Sequence, residues 1–270
     1  MKVLNEILAQ AVRTPDAPAV VQLASDCAAP EAVALTYRQL VVQAHRLAGT
    51  LADETPAAGQ VGLVMGNSVE WVLADLALML GERVEVPVPL AFSVDQARHL
   101  LQGCAQVLVD EMGARTLDLW RSAGLVLSAP VRRVSVANEA SPGEIPCPAS
   151  DSDADSVIKV IHTSGTTSRP KGVKIRRDGL GALVEALWQR ARRDDYQRYL
   201  VLVPLSLLIE QVTALYMPLT SGGAVLLPAP GLAPLAAGGD CRRPTGRDPP
   251  GTPHRHDADA SAGRGDCPAR

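Results

Sequence analysis

Four hydroxyls (Thr163, Ser164, Thr166 and Thr167), two glycines (Gly165 and Gly172) and the cation of Lys171 stand close together in one short run. Glycines let the backbone bend so that successive N–H groups converge, and the hydroxyls add short, rotatable donors. Such a concavity suits the oxygens of a polyphosphate. The spacing is not that of G-x-x-x-x-G-K-[ST], because no Gly-Lys-Ser/Thr follows Gly165 at that interval. A solvated turn has the same composition, so residue types alone leave both readings open.

The flanking elements must position this run. Residues 156–161 form a short β-branched stretch that predicts a strand leading in. Asp178 is placed to cap a helix whose apolar positions Leu180, Leu183, Val184, Leu187, Trp188 and Ala191 share one face. The expectation is therefore strand, loop, helix.

Further upstream, Leu4, Ile7, Leu8, Ala11 and Val12 recur at helical spacing. Thr36 with Gln39 reads as a capping box, followed by a stripe of Leu40, Ala44, Leu47, Ala48 and Leu51. Residues 60–65 read as a buried strand, and Asn67 with Glu70 as the cap of the next helix. Residues 83–88 are strand-like, with Pro87 marking a strand end. Ser93 with Gln96 opens another helix, and 106–110 form the following strand. This alternation predicts an α/β fold with mostly parallel sheets flanked by helices.

The 270-residue chain carries a net charge of −3, with 47% hydrophobic and 20% charged residues. That balance is globular and offers no polycationic footprint, which argues against a nucleic-acid partner. Cys27, Cys104, Cys147, Cys241 and Cys267 form no C-x-x-C pair, so neither a zinc site nor a disulfide framework is indicated. Together with the absence of an apolar leader, this implies a cytoplasmic setting. The most apolar run, 200–209, is too short to span a bilayer and reads as buried core, with 199–206 as a strand.

Taken whole, Thr-Ser-Gly-Thr-Thr-x-x-Pro-Lys-Gly resembles the signature loop of the adenylate-forming superfamily. That superfamily contains acyl-CoA synthetases, luciferases and peptide-synthetase adenylation domains. Pro15-Asp16, Leu35-Thr36-Tyr37, Gly66-Asn67-Ser68 and Val86-Pro87-Val88-Pro89 occur in the family's order. One departure is Ser168, where the family usually has Gly; a side chain there is costly if φ is positive.

The resemblance implies the N-terminal subdomains of an ATP- and Mg²⁺-dependent acid–thiol ligase, nearest to fatty acyl-CoA synthetases and fatty acid metabolism. A small carboxylic acid attacks the α-phosphate, and the acyl group passes to CoA or to the phosphopantetheine of an acyl-carrier protein. Thr163, Ser164, Gly165, Thr166, Thr167, Lys171 and Gly172 would hold the phosphates. Lys171 would be catalytic by its charge, and Thr166 or Thr167 would lie near Mg²⁺. The segment Pro204-Leu205…Glu210 matches a family segment lining the acid pocket, with Leu207 where the family often has histidine. Leu207 and Glu210 are thus substrate-pocket candidates, beside the plainer reading of Leu207 as core and Glu210 as a helix N-terminal carboxylate.

The family's later motifs, Tyr-Gly-x-Thr-Glu, Thr-Gly-Asp and a C-terminal catalytic lysine, do not occur in the 270 residues. The expected domains are a partial adenylate-forming domain over 1–237 and a tail over 238–270. From Asp240 onward there is no Leu, Ile, Val, Met or aromatic residue, which predicts disorder, either natural or from an out-of-frame reading. An impaired or inactive ligase fragment is the expectation; the alternative is a non-catalytic nucleotide-binding or interaction module on the same half-fold.

Overall fold

Alternating apolar side chains explain how the central sheet is covered on both faces. In a computed structural model, residues 2–24, 32–137, 143–146, 153–163 and 171–229 are described. The expected tail, and Cys27, Cys147, Cys241 and Cys267, lie outside them. Cys104 is buried.

The chain runs α1 (Lys2–Arg13), β1 (Pro18–Gln22), β2 (Ala32–Thr36), α2 (Tyr37–Glu54), β3 (Gln60–Val64), α3 (Val69–Leu80) and β4 (Val84–Pro87). It continues through α4 (Val94–Leu101), β5 (Gln106–Val109), α5 (Glu111–Ser122), β6 (Val131–Arg133), β7 (Val157–Thr163), β8 (Lys171–Arg176) and α6 (Arg177–Trp188). A 3₁₀ turn precedes β9 (Arg198–Leu200). Then α7 (Leu208–Glu210), a π-helical segment (Gln211–Tyr216) and α8 (Met217–Ser221) abut one another before β10 (Ala224–Leu227).

One sheet has the order β6-β5-β3-β4-β7-β8, parallel throughout except for the antiparallel β7–β8 pair. The other has the order β2-β1-β10-β9, with only β1–β2 antiparallel. Val61 and Leu63 of β3 join the core of α1, α2 and α3. Val64, Val86, Val107 and Val109 join a second cluster with Leu100, Leu117 and Trp120 of α4 and α5. A period of two thus feeds helices on both faces, as the sequence predicts for a mostly parallel sheet. Among the described residues, no helix is long and apolar enough to cross a membrane.

Both predicted capping boxes form, at Thr36/Gln39 and Ser93/Gln96. The cap of α3 is different. Ser68, not Asn67, accepts from the Trp71 N–H. Asn67 instead donates to Val203 O at 2.9 Å and accepts from Leu205 N at 2.9 Å, tying the β3–α3 turn to the chain after β9.

Three further expectations are corrected. The run 199–206 is a strand only as far as Leu200. Its surroundings are not a closed core, because Leu200, Leu202, Leu207 and Ile209 are exposed while Val201 and Leu205 are buried. Val12 and Leu183 also face outward, at the rims of their helical stripes.

Candidate functional site

Residues 157–163 form β7, with Ile158, Lys159 and Ile161 buried, and residues 171–176 return beside them as β8. Thr163 is paired with Lys171, His162 with Gly172 and Ile161 with Val173. The signature run therefore bridges two antiparallel strands instead of leading from a strand into a helix. Lys171 and Gly172 belong to β8 itself. Sequence reasoning misses the hairpin because Val173 and Ile175 alternate with charge over only six residues, too short a pattern to separate from a loop. Asp178 is not the cap of α6; Arg176 occupies that position without a side-chain bond, and Asp178 Oδ1 accepts from Gly179 N within the first turn.

Ser164, Gly165, Thr166, Thr167 and Ser168 lie outside the described residues. What the structure places is the mouth of the hairpin. It stands at the carboxyl end of β7, on the same side as the carboxyl ends of β3 and β4, where open α/β sheets receive ligands. A cavity of about 400 Å³ lined in part by Gln60, Val84, Val157 and Arg177 opens at the amino-terminal end of these strands, away from the loop.

On β8, Lys171, Gly172, Val173, Lys174 and Arg176 are all exposed. The strand is the edge of its sheet, and charged side chains on an edge discourage pairing with a second chain. Gly172 has a steric reason. A Cβ there would sit 2.9 Å from Val160 Cγ1 and 3.1 Å from His162 Nε2, so the missing side chain lets β8 lie close on β7.

His162, the last residue before Thr163, carries no sequence signal that singles it out. It is half-buried, with His99 of α4 edge-on to it at a 6.3 Å ring separation. Burial, then the neighbouring His99, holds its pKa below the ordinary value, so neutral imidazole is favoured at the loop's base.

Leu207 and Glu210 fall on the segment after β9. Leu207 is exposed at the N-cap of α7, which removes the core reading. Glu210 is buried, and its Oε1 accepts from Leu202 N at 2.7 Å and Val203 N at 3.2 Å. Its carboxylate shapes the strand-to-helix loop by satisfying two backbone donors.

Lys159 on β7 is a second residue that the motif reading passes over. It is wholly buried and ion-paired to Asp75 of α3 and Glu85 of β4. The signal is present in the sequence. Each of the three is a lone charge in an apolar run (Val-Ile-Lys-Val-Ile, Leu-Ala-Asp-Leu-Ala and Val-Glu-Val), and buried charges need partners.

The chain is similar to known proteins in sequence and in fold. Phenyloxazoline synthase MbtB of Mycolicibacterium paratuberculosis is 30% identical over 224 residues, covering 81% of this chain and 17% of that protein. Bacitracin synthase 3 of Bacillus licheniformis is 26% identical over 228 residues, covering 81% of this chain and 3% of its own. The chain thus spans under a fifth of either relative. Among solved structures, an AMPPNP-bound form of the nonribosomal peptide synthetase FmoA3 superposes with a TM-score of 0.67 at 28% identity, covering 84% of this chain and 23% of that one. The N-terminal domain of FACL13 from Mycobacterium tuberculosis shares the fold, with a TM-score of 0.68 at 22% identity, over 86% of this chain and 58% of that one. The family model described as AMP-binding enzyme matches residues 7–242, and the chain belongs to that adenylate-forming family.

Proposed function

We propose that the β7–β8 hairpin is the polyphosphate-holding part of an ATP-dependent acid–thiol ligase. The observation that carries this reading is the hairpin register. It sets Thr163 opposite Lys171 at the carboxyl end of the parallel strands, with Ser164, Gly165, Thr166 and Thr167 in the connection between them. The ATP analogue in the similar FmoA3 structure supports ATP as the nucleotide.

In this reading the carboxylate of a small acid attacks the α-phosphate, and pyrophosphate leaves. An in-line displacement of this kind needs alignment and charge neutralisation more than covalent protein chemistry. Backbone N–H groups and hydroxyls of residues 163–167 fix the β- and γ-phosphates, and the exposed Lys171 ammonium offsets their charge. The hydroxyl oxygens of Thr166 and Thr167 are hard donors that fit Mg²⁺, which supplies further neutralisation of the phosphates when bound. Similarity to peptide synthetases favours carrier-bound phosphopantetheine over free CoA as the acceptor. Leu207, exposed beside α7, is the side chain proposed to influence which acid is taken.

The 270 residues hold neither the family's adenine and ribose motifs nor its late lysine, so by themselves they are proposed to bind Mg·ATP without turning it over. Titration calorimetry with Mg·ATP, beside carboxylate-dependent ATP–pyrophosphate exchange over a panel of fatty and amino acids, tests this. Weak binding that Lys171→Ala abolishes, with no exchange, is expected. Acid-dependent exchange would overturn the inactivity, and absence of binding would overturn the site.

A further inference from the structure

Where α3, β4 and β7 meet, three charges are sealed from solvent. Lys159 Nζ donates to Asp75 Oδ1 and to Glu85 Oε2, with the lysine side chain 0% and both carboxylates 1% exposed. The π-helical segment closes the cluster. Tyr216 Oη donates to Asp75, 2.9 and 3.0 Å from its two oxygens, and lies beneath the Lys159 ammonium. Gln211 Nε2 donates to Glu85 Oε1 at 3.1 Å and to Leu205 O at 2.9 Å.

Charge counting constrains what this cluster can be. Among the described residues, the charged and titratable groups facing it are Asp75 from α3, Glu85 from β4, Lys159 from β7 and Tyr216 from the π segment. Tyr216 keeps its proton, since burial and then Asp75 hold its pKa well above the ordinary value. One ammonium between two carboxylates leaves a net negative charge in a medium that solvates it poorly. One added proton brings the sum to zero. Both carboxylates converge on the single Nζ of Lys159, so the two acids are crowded around one cation and titrate as a coupled set.

We propose that Asp75, Glu85 and Lys159 share one proton and form a lock that positions the phosphate-loop hairpin against the segment 205–216. Lys159 is a positioning residue here, and its functional meaning rests on the ligase reading above. From Lys159 the strand runs through His162 to Thr163 at the loop's mouth. Through Gln211 and Tyr216 the same lock grips the segment that carries Leu207 and Glu210. The proton is thus shared at the joint between the phosphate side and the acid side. Burial, opposed by Lys159 and aided by Asp75, pushes the Glu85 carboxyl up to about 8. Loss of the proton in alkali then charges the joint and loosens it.

Infrared spectra of the 270-residue chain test the proton directly. The carbonyl stretch of a protonated carboxyl is expected at neutral pH, fading as the pH rises through the Glu85 value, and missing from Glu85→Gln. Its absence from the wild type at neutral pH would overturn the proposal. Hydrogen exchange over residues 157–176, read as wild type against Glu85→Gln at one pH, tests the positioning. The two should match at neutral pH, because the amide mimics the protonated acid, and the wild type should exchange faster in alkali. Faster exchange in Glu85→Gln at neutral pH would instead mean that an ionised Glu85 is required, and would sink the lock. Mg·ATP affinity should fall several-fold over the same alkaline range in the wild type and stay flat in Glu85→Gln. If the wild type binds no Mg·ATP at any pH, the ligase reading fails, while the infrared and exchange results still decide the lock. If Glu85→Gln does not fold, Asp75→Asn removes the same shared proton and takes its place.

Discussion

Lys159 and Lys171 lie on the two strands of one hairpin and meet opposite fates. Lys159 is wholly buried between two carboxylates, whereas Lys171 stands exposed at the mouth of the signature loop. The difference teaches that a lysine's role is set by what surrounds its ammonium. An exposed lysine asks little of the fold and is free to meet a ligand. A buried one is tolerated only if α3, β4, β7 and the π segment converge on it with compensating charge. Stability should therefore depend on the buried lysine and ligand affinity on the exposed one.

The sharpest way to break that comparison is Lys159→Met. It strands Asp75 and Glu85 together without their cation, and removing one partner of a buried pair typically costs about 3–5 kcal/mol. Denaturant unfolding should show a loss of that order. A loss no larger than that of a surface substitution would mean that the ion cluster does not hold the joint.

A milder perturbation leaves the sequence alone. Folded Glu85 titrates near 8 where an ordinary glutamate titrates at 4.5, so the folded state keeps its proton to higher pH than the unfolded one. Its contribution to stability is fully present below about 4.5, declines above it, and is lost as pH rises through about 8. Lys159, held above its ordinary value by Asp75 and Glu85 against burial, stays charged across this window. Thermal melts should show the midpoint falling over that range and a flatter profile in Glu85→Gln. Parallel profiles would remove Glu85 as the titrating group.

Gly172→Ala probes the contact between the two strands. Its Cβ would press on Val160 Cγ1 and His162 Nε2, so β8 must shift outward. The expected loss is about 1 kcal/mol, at the low end for overpacking and partly offset by the reduced freedom of the unfolded chain. An unchanged melt would show that β8 yields freely, and that the hairpin mouth is less fixed than the register implies.

What is legible in the sequence follows the range of each interaction. The capping boxes of Thr36/Gln39 and Ser93/Gln96 are local, and both form where their spacing places them. Asn67 also looks local, yet its side chain serves Val203 and Leu205, far along the chain, while Ser68 takes the cap. The α/β architecture is readable from strands alternating with amphipathic helices. The hairpin return of β8 is not, because only Val173 and Ile175 alternate with charge over its six residues and only Ile175 packs on the core, too brief an imprint to read alone. The ion cluster is written in three separate apolar runs, but which charge meets which is a property of sheet order. For the candidate site, Lys171 and Gly172 stand out by motif, whereas the His162–His99 contact depends on α4 packing over β7 and leaves no local mark.

The smallest expected effect on stability is the most informative about function. Lys171 is exposed on an edge strand, and substitutions of exposed residues away from caps and strained backbone usually change stability by less than about 0.5 kcal/mol. Lys171→Ala should therefore melt like the wild type. A cation placed to offset phosphate charge should nevertheless matter for Mg·ATP, with affinity lost on substitution and partly retained in Lys171→Arg, which keeps the charge but changes its shape. Equal affinity in Lys171→Ala would leave this lysine as an edge-protecting charge of the kind Lys174 and Arg176 also supply on β8. The contrast between the two lysines would then reduce to burial alone.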